Sequence, residues 1–224
     1  MSTAEESNPS SDAAAVIDAI FAQKKALRSK IRRDLKSMDP TQRSQEDEAI
    51  QNAVLKAPWF KDCKGLCAYI CCSALREVDT SKILVQVLQT QSKDQKKLYV
   101  PRVEDKNRNM RMLNISSTED LIANSMNILE PGLTDAEGNE CEDASISIQL
   151  MYLGKHFMLC FNKLLFAVLL ANEPVDLFLL PVALSYSVQI VDAIPVTPDD
   201  VLVDALITPS GVIPISQAAR EICL

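Results

Sequence analysis

The chain has 224 residues, 47% hydrophobic and 24% charged, which fits one globular domain with a full-sized core. Its net charge of −7 and pI near 4.8 exclude a general nucleic-acid binder, which carries a basic surplus. Seven cysteines with no secretory start read as free thiols in a reducing compartment, so the cytoplasm is the expected location.

The first 23 residues hold Glu5, Glu6, Asp12 and Asp18 and no Lys or Arg, unlike an Arg-rich import segment. Residues 1–13 read as a disordered Ser/Ala/Glu tail, and Val16, Ile17, Ile20 and Phe21 as an extension of the next helix. Residues 1–23 are therefore expected to be a disordered or helical extension of a single domain over 24–224.

Leu27, Ile31 and Leu35 place one apolar face on a helix from Lys24 to Met38. The rest of that helix carries Lys24, Lys25, Arg28, Lys30, Arg32, Arg33 and Lys36 against Asp34 alone. Such a field suits phosphate, and it equally suits a solvated helix face. Asp39-Pro40 stops this helix and starts another over Thr41 to Lys56, closed by Pro58.

Gly65 to Cys72 is an apolar run that reads as a buried strand, and Cys63, Cys67 and Cys71 as core thiols. A metal site would need their sulfurs to converge, whereas four-residue spacing on a strand spreads them along one side. Ser73 to Asp79 is a polar loop containing Glu77. Asp79 or Thr80 caps a helix whose apolar positions are Ile83, Leu84, Val87 and Leu88. Leu98 to Val103 and Met110 to Ile115 are strands around a charged turn. Ser117 and Asp120 resemble a capping box opening a helix from Glu119 to Met126, and Asn127 to Asp143 reads as a loop. Alternation of strand and helix over 41–126 predicts an α/β fold, with a mostly parallel sheet covered by helices on both faces. Near the end, Ala205 to Thr208 and Val212 to Ile215 form a hairpin across Pro209-Ser210-Gly211.

Two stretches break this order. Ser145 to Ala171 is apolar on nearly every face. Three readings compete: a membrane span or tether, disfavoured because Lys155, His156, Asn162 and Lys163 interrupt it, a buried helix, and sequence not selected as protein. His156 is the only histidine, so no Ser-His or Cys-His pair is expected. Val175 to Leu180 and Val182 to Tyr186 each have strand length, yet only Pro181 lies between them. A hairpin needs about two turn residues and a parallel pair a crossover of about a dozen, so a connection is expected to be missing after 181.

Lys24-Lys25-Ala26-Leu27-Arg28 fits a K-x-x-L-R helix start that opens the 5-formyltetrahydrofolate cyclo-ligase family. Arg76-Glu77-Val78-Asp79-Thr80, Lys97-Leu98-Tyr99-Val100-Pro101 and the run Ile194 to Asp204 follow in the family's order. Residues 24–144 resemble plant members throughout, and 172–215 resemble them again with a gap. The resemblance implies a magnesium- and ATP-dependent closure of 5-formyltetrahydrofolate to 5,10-methenyltetrahydrofolate by a cytoplasmic monomer; a longer form with an import segment would be mitochondrial. By position it implies that Lys24, Lys25 and Arg28 bind ATP, that Cys72 and Glu77 contact folate, and that Asp200 holds magnesium with Asp204 nearby. Family members continue after the position of Pro181 with a glycine-rich loop that cradles phosphate, resembling G-R-G-x-G-Y-Y-D. Backbone amides approach phosphate only where side chains are absent. The five glycines here are Gly65, Gly132, Gly138, Gly154 and Gly211, none closer than six residues to the next. The resemblance therefore leaves no catalytic residue identified and activity doubtful, the alternative being an inactive variant with residual folate or nucleotide binding.

Overall fold

The computed structural model describes residues 9–94, 96–105, 110–125, 127–135, 137–144, 166–171, 177–198, 200 and 202–223. Most of the apolar block 145–171, with His156, lies outside them.

Helix α1 runs from Pro9 to Ser37, so part of the expected tail is helical. It buries Ile31 and Leu35, the face read from the spacing. Asp39 ends the connection as an N-cap, accepting from the Thr41 and Gln42 amides at 2.9 and 3.1 Å, and Pro40 opens α2 (Pro40–Lys56). Ala57 is forced extended by Pro58, which starts the short α3 (Pro58–Asp62). There Trp59 and Phe60 meet edge to face at 6.3 Å. α4 (Ser81–Asp94) is capped by Asp79, whose carboxylate accepts from the Ser81 amide at 2.9 Å.

The strands are β1 (Gly65–Cys67), β2 (Lys97–Val103), β3 (Met110–Ile115), β4 (Leu121–Ala123), β5 (Leu129–Pro131), β6 (Phe166–Ala171), β7 (Leu177–Leu184), β8 (Ala205–Thr208) and β9 (Gly211–Pro214); α5 (Gln217–Cys223) follows. Seven form one sheet in the order β3-β2-β1-β6-β7-β8-β9, and β4 pairs with β5. The α/β class holds, but the mostly parallel sheet does not. Only β1·β2 and β7·β8 are parallel, and the other neighbours are antiparallel. Leu180 to Leu184 are buried without alternation, so both faces of the sheet are covered there.

Four further expectations are corrected. The helix expected from Glu119 to Met126 does not form over its described residues, 119–125. Asp120 folds back onto the Ser116 and Ser117 amides, both at 2.9 Å, which closes a single 3₁₀ turn. Asn127, at φ 57°, then turns β4 into β5, where a loop was expected. The strand from Gly65 to Cys72 is shorter, ending at Cys67.

The fourth correction concerns Pro181. The two runs around it form one strand, β7, where two were expected. Pro181 pairs with Ala167 of β6, and its carbonyl accepts from the Asp204 amide at 2.8 Å. The amide and carbonyl of one strand residue face the same side. The donor that proline lacks therefore points to Asp204, just before the β8 ladder begins, and costs β6 nothing. Residues 166–171 of the apolar block supply β6, which lies antiparallel between β1 and β7. Among the described residues no helix is long and apolar enough to cross a membrane.

Candidate functional site

Lys24 sits on α1 at 4% exposure, although the sequence places it among solvated cations. Its ammonium bonds the carboxylate of Asp200, 176 residues away. The same carboxylate oxygen accepts from the Thr197 amide at 2.6 Å and the Thr197 hydroxyl at 3.1 Å. The expected phosphate cation and the expected magnesium carboxylate thus come together, and they neutralise each other. Lys25 is exposed and Arg28 half-buried, while Lys30, Arg32, Arg33 and Lys36 are solvated, as the plainer reading of that face has it.

Magnesium takes near-octahedral oxygen ligands, typically one or two carboxylates plus substrate phosphates. Here the single candidate carboxylate is already occupied by an ammonium. No group of three His, Cys, Asp or Glu side chains gathers among the described residues. Asp204 uses its backbone, bonding Pro181, Ile215 and Ser216. The described glycines serve turns and a strand. Gly138 and Gly211 take φ of 86° and 121° in turns, and Gly65 lies in β1. The described residues therefore do not fit a magnesium–nucleotide phosphate group.

The second expected pair also meets. The Cys72 amide donates to the Glu77 carboxylate at 2.8 Å, and Glu77 is 6% exposed. The loop that carries Glu77 is braced from several elements. The Tyr69 hydroxyl donates to the Val78 carbonyl at 2.9 Å, and the Thr80 hydroxyl to the Tyr69 carbonyl at 3.0 Å. Burial pushes the Tyr69 phenol up, so it stays a neutral donor. Arg76, at φ 52°, takes the left-handed conformation that costs a side-chain-bearing residue about 1 kcal/mol. Its guanidinium reaches the Leu35 carbonyl of α1 at 3.4 Å. Lys24 and Leu35 lie eleven residues apart on α1, about 16 Å along the axis. One helix thus carries Lys24 and touches the loop that holds Glu77.

Sequence reasoning missed the groups behind the loop. The Arg43 guanidinium donates to the Glu77 carbonyl at 3.0 Å and to the Tyr186 hydroxyl at 3.1 Å. That hydroxyl meets the Asp47 carboxylate at 2.6 Å, and Asp47 accepts from the Asp79 amide at 2.8 Å. Glu46 joins the same helix to the chain after β7, accepting from the Ser187 hydroxyl at 2.6 Å and amide at 2.8 Å. Burial pushes the Glu46 carboxyl up, but the Ser187 and Gln42 hydrogen bonds outweigh it and hold the group below its ordinary value. A buried tyrosine hydroxyl needs a polar partner, and that was the available signal; nothing local named Asp47. A cleft of about 280 Å³ opens between α2 and this loop, lined by Arg43, Asp47, Glu48, Arg76 and Asp79 among others. Its three acids outnumber its two cations, and it holds none of the expected site residues.

Five of the cysteines, Cys63, Cys67, Cys71, Cys72 and Cys141, are free thiols. Cys63 and Cys67 are buried, as core residues should be, and burial pushes the Cys67 thiol up to about 12.

The chain is similar to known proteins in sequence and in fold. A model of the 5-formyltetrahydrofolate cyclo-ligase family matches residues 20–152. A mitochondrial 5-formyltetrahydrofolate cyclo-ligase of Arabidopsis thaliana is 56% identical over 247 positions, covering 92% of this chain and 80% of that protein. That alignment is longer than the 224 residues present here, so the relative has residues this chain lacks. The NMR structure of Aquifex aeolicus 5,10-methenyltetrahydrofolate synthetase shares the fold at a TM-score of 0.59 and 20% identity, over 85% of this chain and 92% of that one. The chain belongs to the 5-formyltetrahydrofolate cyclo-ligase family, a family of ligases of one-carbon folate metabolism.

Proposed function

We propose that this chain keeps the folate half of a cyclo-ligase site and lacks the ATP half. It binds 5-formyltetrahydrofolate through the Cys72–Glu77 pair, and its ATP-dependent closure to the methenyl product is severely slowed. The observation that carries this reading is the buried Lys24–Asp200 ion pair, in which the phosphate cation and the magnesium carboxylate saturate each other. The missing glycine-rich stretch points the same way. Placing the lost residues after Pro181 accords with β7, where two expected strands run on as one. Each lost transition-state donor lowers the rate by about 10²–10³.

The test uses purified protein, 5-formyltetrahydrofolate, magnesium and ATP, with product followed by its absorbance. Turnover at least a hundredfold below that of the Arabidopsis relative is expected, on the same per-donor arithmetic. Turnover within tenfold of that relative would overturn the reading. The protein is a monomer in this proposal, checked by light scattering. Its compartment follows the Arabidopsis relative, whose name is mitochondrial, through a longer form; imaging of a full-length fusion checks it against the cytoplasm.

A further inference from the structure

Tyr186 follows β7, is fully buried, and has no part in the residues expected to touch ligand. Its hydroxyl has three neighbours: Asp47 at 2.6 Å, Arg43 at 3.1 Å and the Glu77 carbonyl at 3.1 Å. A hydroxyl has one proton to give. The short contact to a carboxylate takes it, and Arg43 donates into the hydroxyl oxygen. The Glu77 carbonyl is then held by the other Arg43 nitrogen at 3.0 Å. Arg43 also lies over the Tyr186 ring, 5.7 Å from its centre.

The hydroxyl therefore stands between a cation and an anion of the same helix face. Arg43 and Asp47 are four residues apart on α2 and would pair directly without it. Direct pairing would draw the guanidinium off the Glu77 carbonyl. It would also compete for the Asp47 oxygen that receives the Asp79 amide. Arg76, already in a costly backbone conformation beside Glu77, makes that loop ready to relax once its braces slip.

We propose that Tyr186 is a positioning residue for folate recognition: by holding Arg43 and Asp47 apart, it fixes the backbone of residues 77–79 and thereby aims the Glu77 carboxylate. The proposal rests on the folate reading given above. It acts through Arg43 and the loop, and Tyr186 itself touches no ligand.

Calorimetric titration of 5-formyltetrahydrofolate into the full chain, paired with amide hydrogen exchange, tests it. Tyr186→Phe should weaken binding about tenfold, the loss expected when a buried hydrogen bond to a charged group goes. It should also speed exchange at residues 77–79. Tyr186→Phe combined with Asp47→Asn should regain part of the affinity, because the anion that draws Arg43 away is gone. Ile115→Val, a core truncation in β3, should lower the melting temperature and leave both readouts unchanged. Unchanged binding in Tyr186→Phe, an equal loss in Ile115→Val, or no recovery in the double variant overturns the proposal. Unchanged exchange at 77–79 sinks the clamp itself, whatever the ligand. Absence of folate binding by the unaltered chain sinks the folate reading and the proposal with it, and faster exchange at 77–79 would show that the clamp was not the part at fault.

Discussion

Glu77 and the contact between Lys24 and Asp200 are both buried, and both are held by residues far apart in sequence. They differ in what holds them. The loop around Glu77 is braced by α1, α2, the chain before it and the chain after β7, largely through its backbone, and the Glu77 carboxylate itself accepts from the neutral Cys72 amide. At the other place the two expected ligand groups brace each other. At Glu77 a carboxylate meets a backbone amide, whereas at Lys24 two opposite charges meet. A site whose front groups pair with one another is closed by its own charges.

The largest expected effect attacks the closed pair. Asp200→Ala leaves the Lys24 ammonium buried without its carboxylate and should cost about 3–5 kcal/mol. Lys24→Met with Asp200→Leu, which removes both charges, should recover most of that. Urea unfolding measures both, and a double variant as unstable as the single one would show that the pair is not what holds α1 to this segment.

A smaller effect is pH-dependent and lies behind the loop. The Glu46 carboxyl titrates below its ordinary 4.5 in the folded protein. Its contribution is therefore complete above the ordinary carboxylate range and is lost as pH falls through the lowered folded value. Glu46→Gln should lower stability near neutral pH by about 1 kcal/mol, and the difference should vanish under strongly acid conditions. A difference that persists at low pH would mean that shape rather than charge matters there.

The smallest effect asks what Arg76 contributes. Arg76→Gly relieves the left-handed backbone and gives up one long hydrogen bond to Leu35, so stability should rise by up to about 1 kcal/mol. A fall of that size would show that the hydrogen bond to Leu35 outweighs the backbone strain.

The same contrast separates what was legible in the sequence from what was not. Local patterns located α1, α2, α4, β2, β3 and the β8–β9 hairpin, because caps, proline stops and apolar spacing act within a few residues. The resemblance singled out Cys72 and Glu77 for folate, Lys24 for ATP and Asp200 for magnesium; Cys72 meets Glu77, and Lys24 meets Asp200. No spacing revealed that the second pair neutralises itself, since its partners meet only after the whole sheet has assembled. Tyr186 and Asp47 are 139 residues apart and were missed for the same reason. At Asp120 the capping box was legible, but the same signature can close one turn or open a helix. Cross-strand pairing of Leu121–Ala123 with Leu129–Pro131 decided it. Pro181 misled differently. A proline inside an apolar run reads as a break, and only the sheet shows that its missing donor faces the end of a ladder.

The most direct test titrates one preparation of the protein with two ligands by calorimetry. The account predicts saturable binding of 5-formyltetrahydrofolate and no saturable heat with magnesium–ATP at matched concentrations. Tight magnesium–ATP binding, abolished by Lys24→Met, would show that the Lys24–Asp200 pair opens to receive phosphate and would contradict the account.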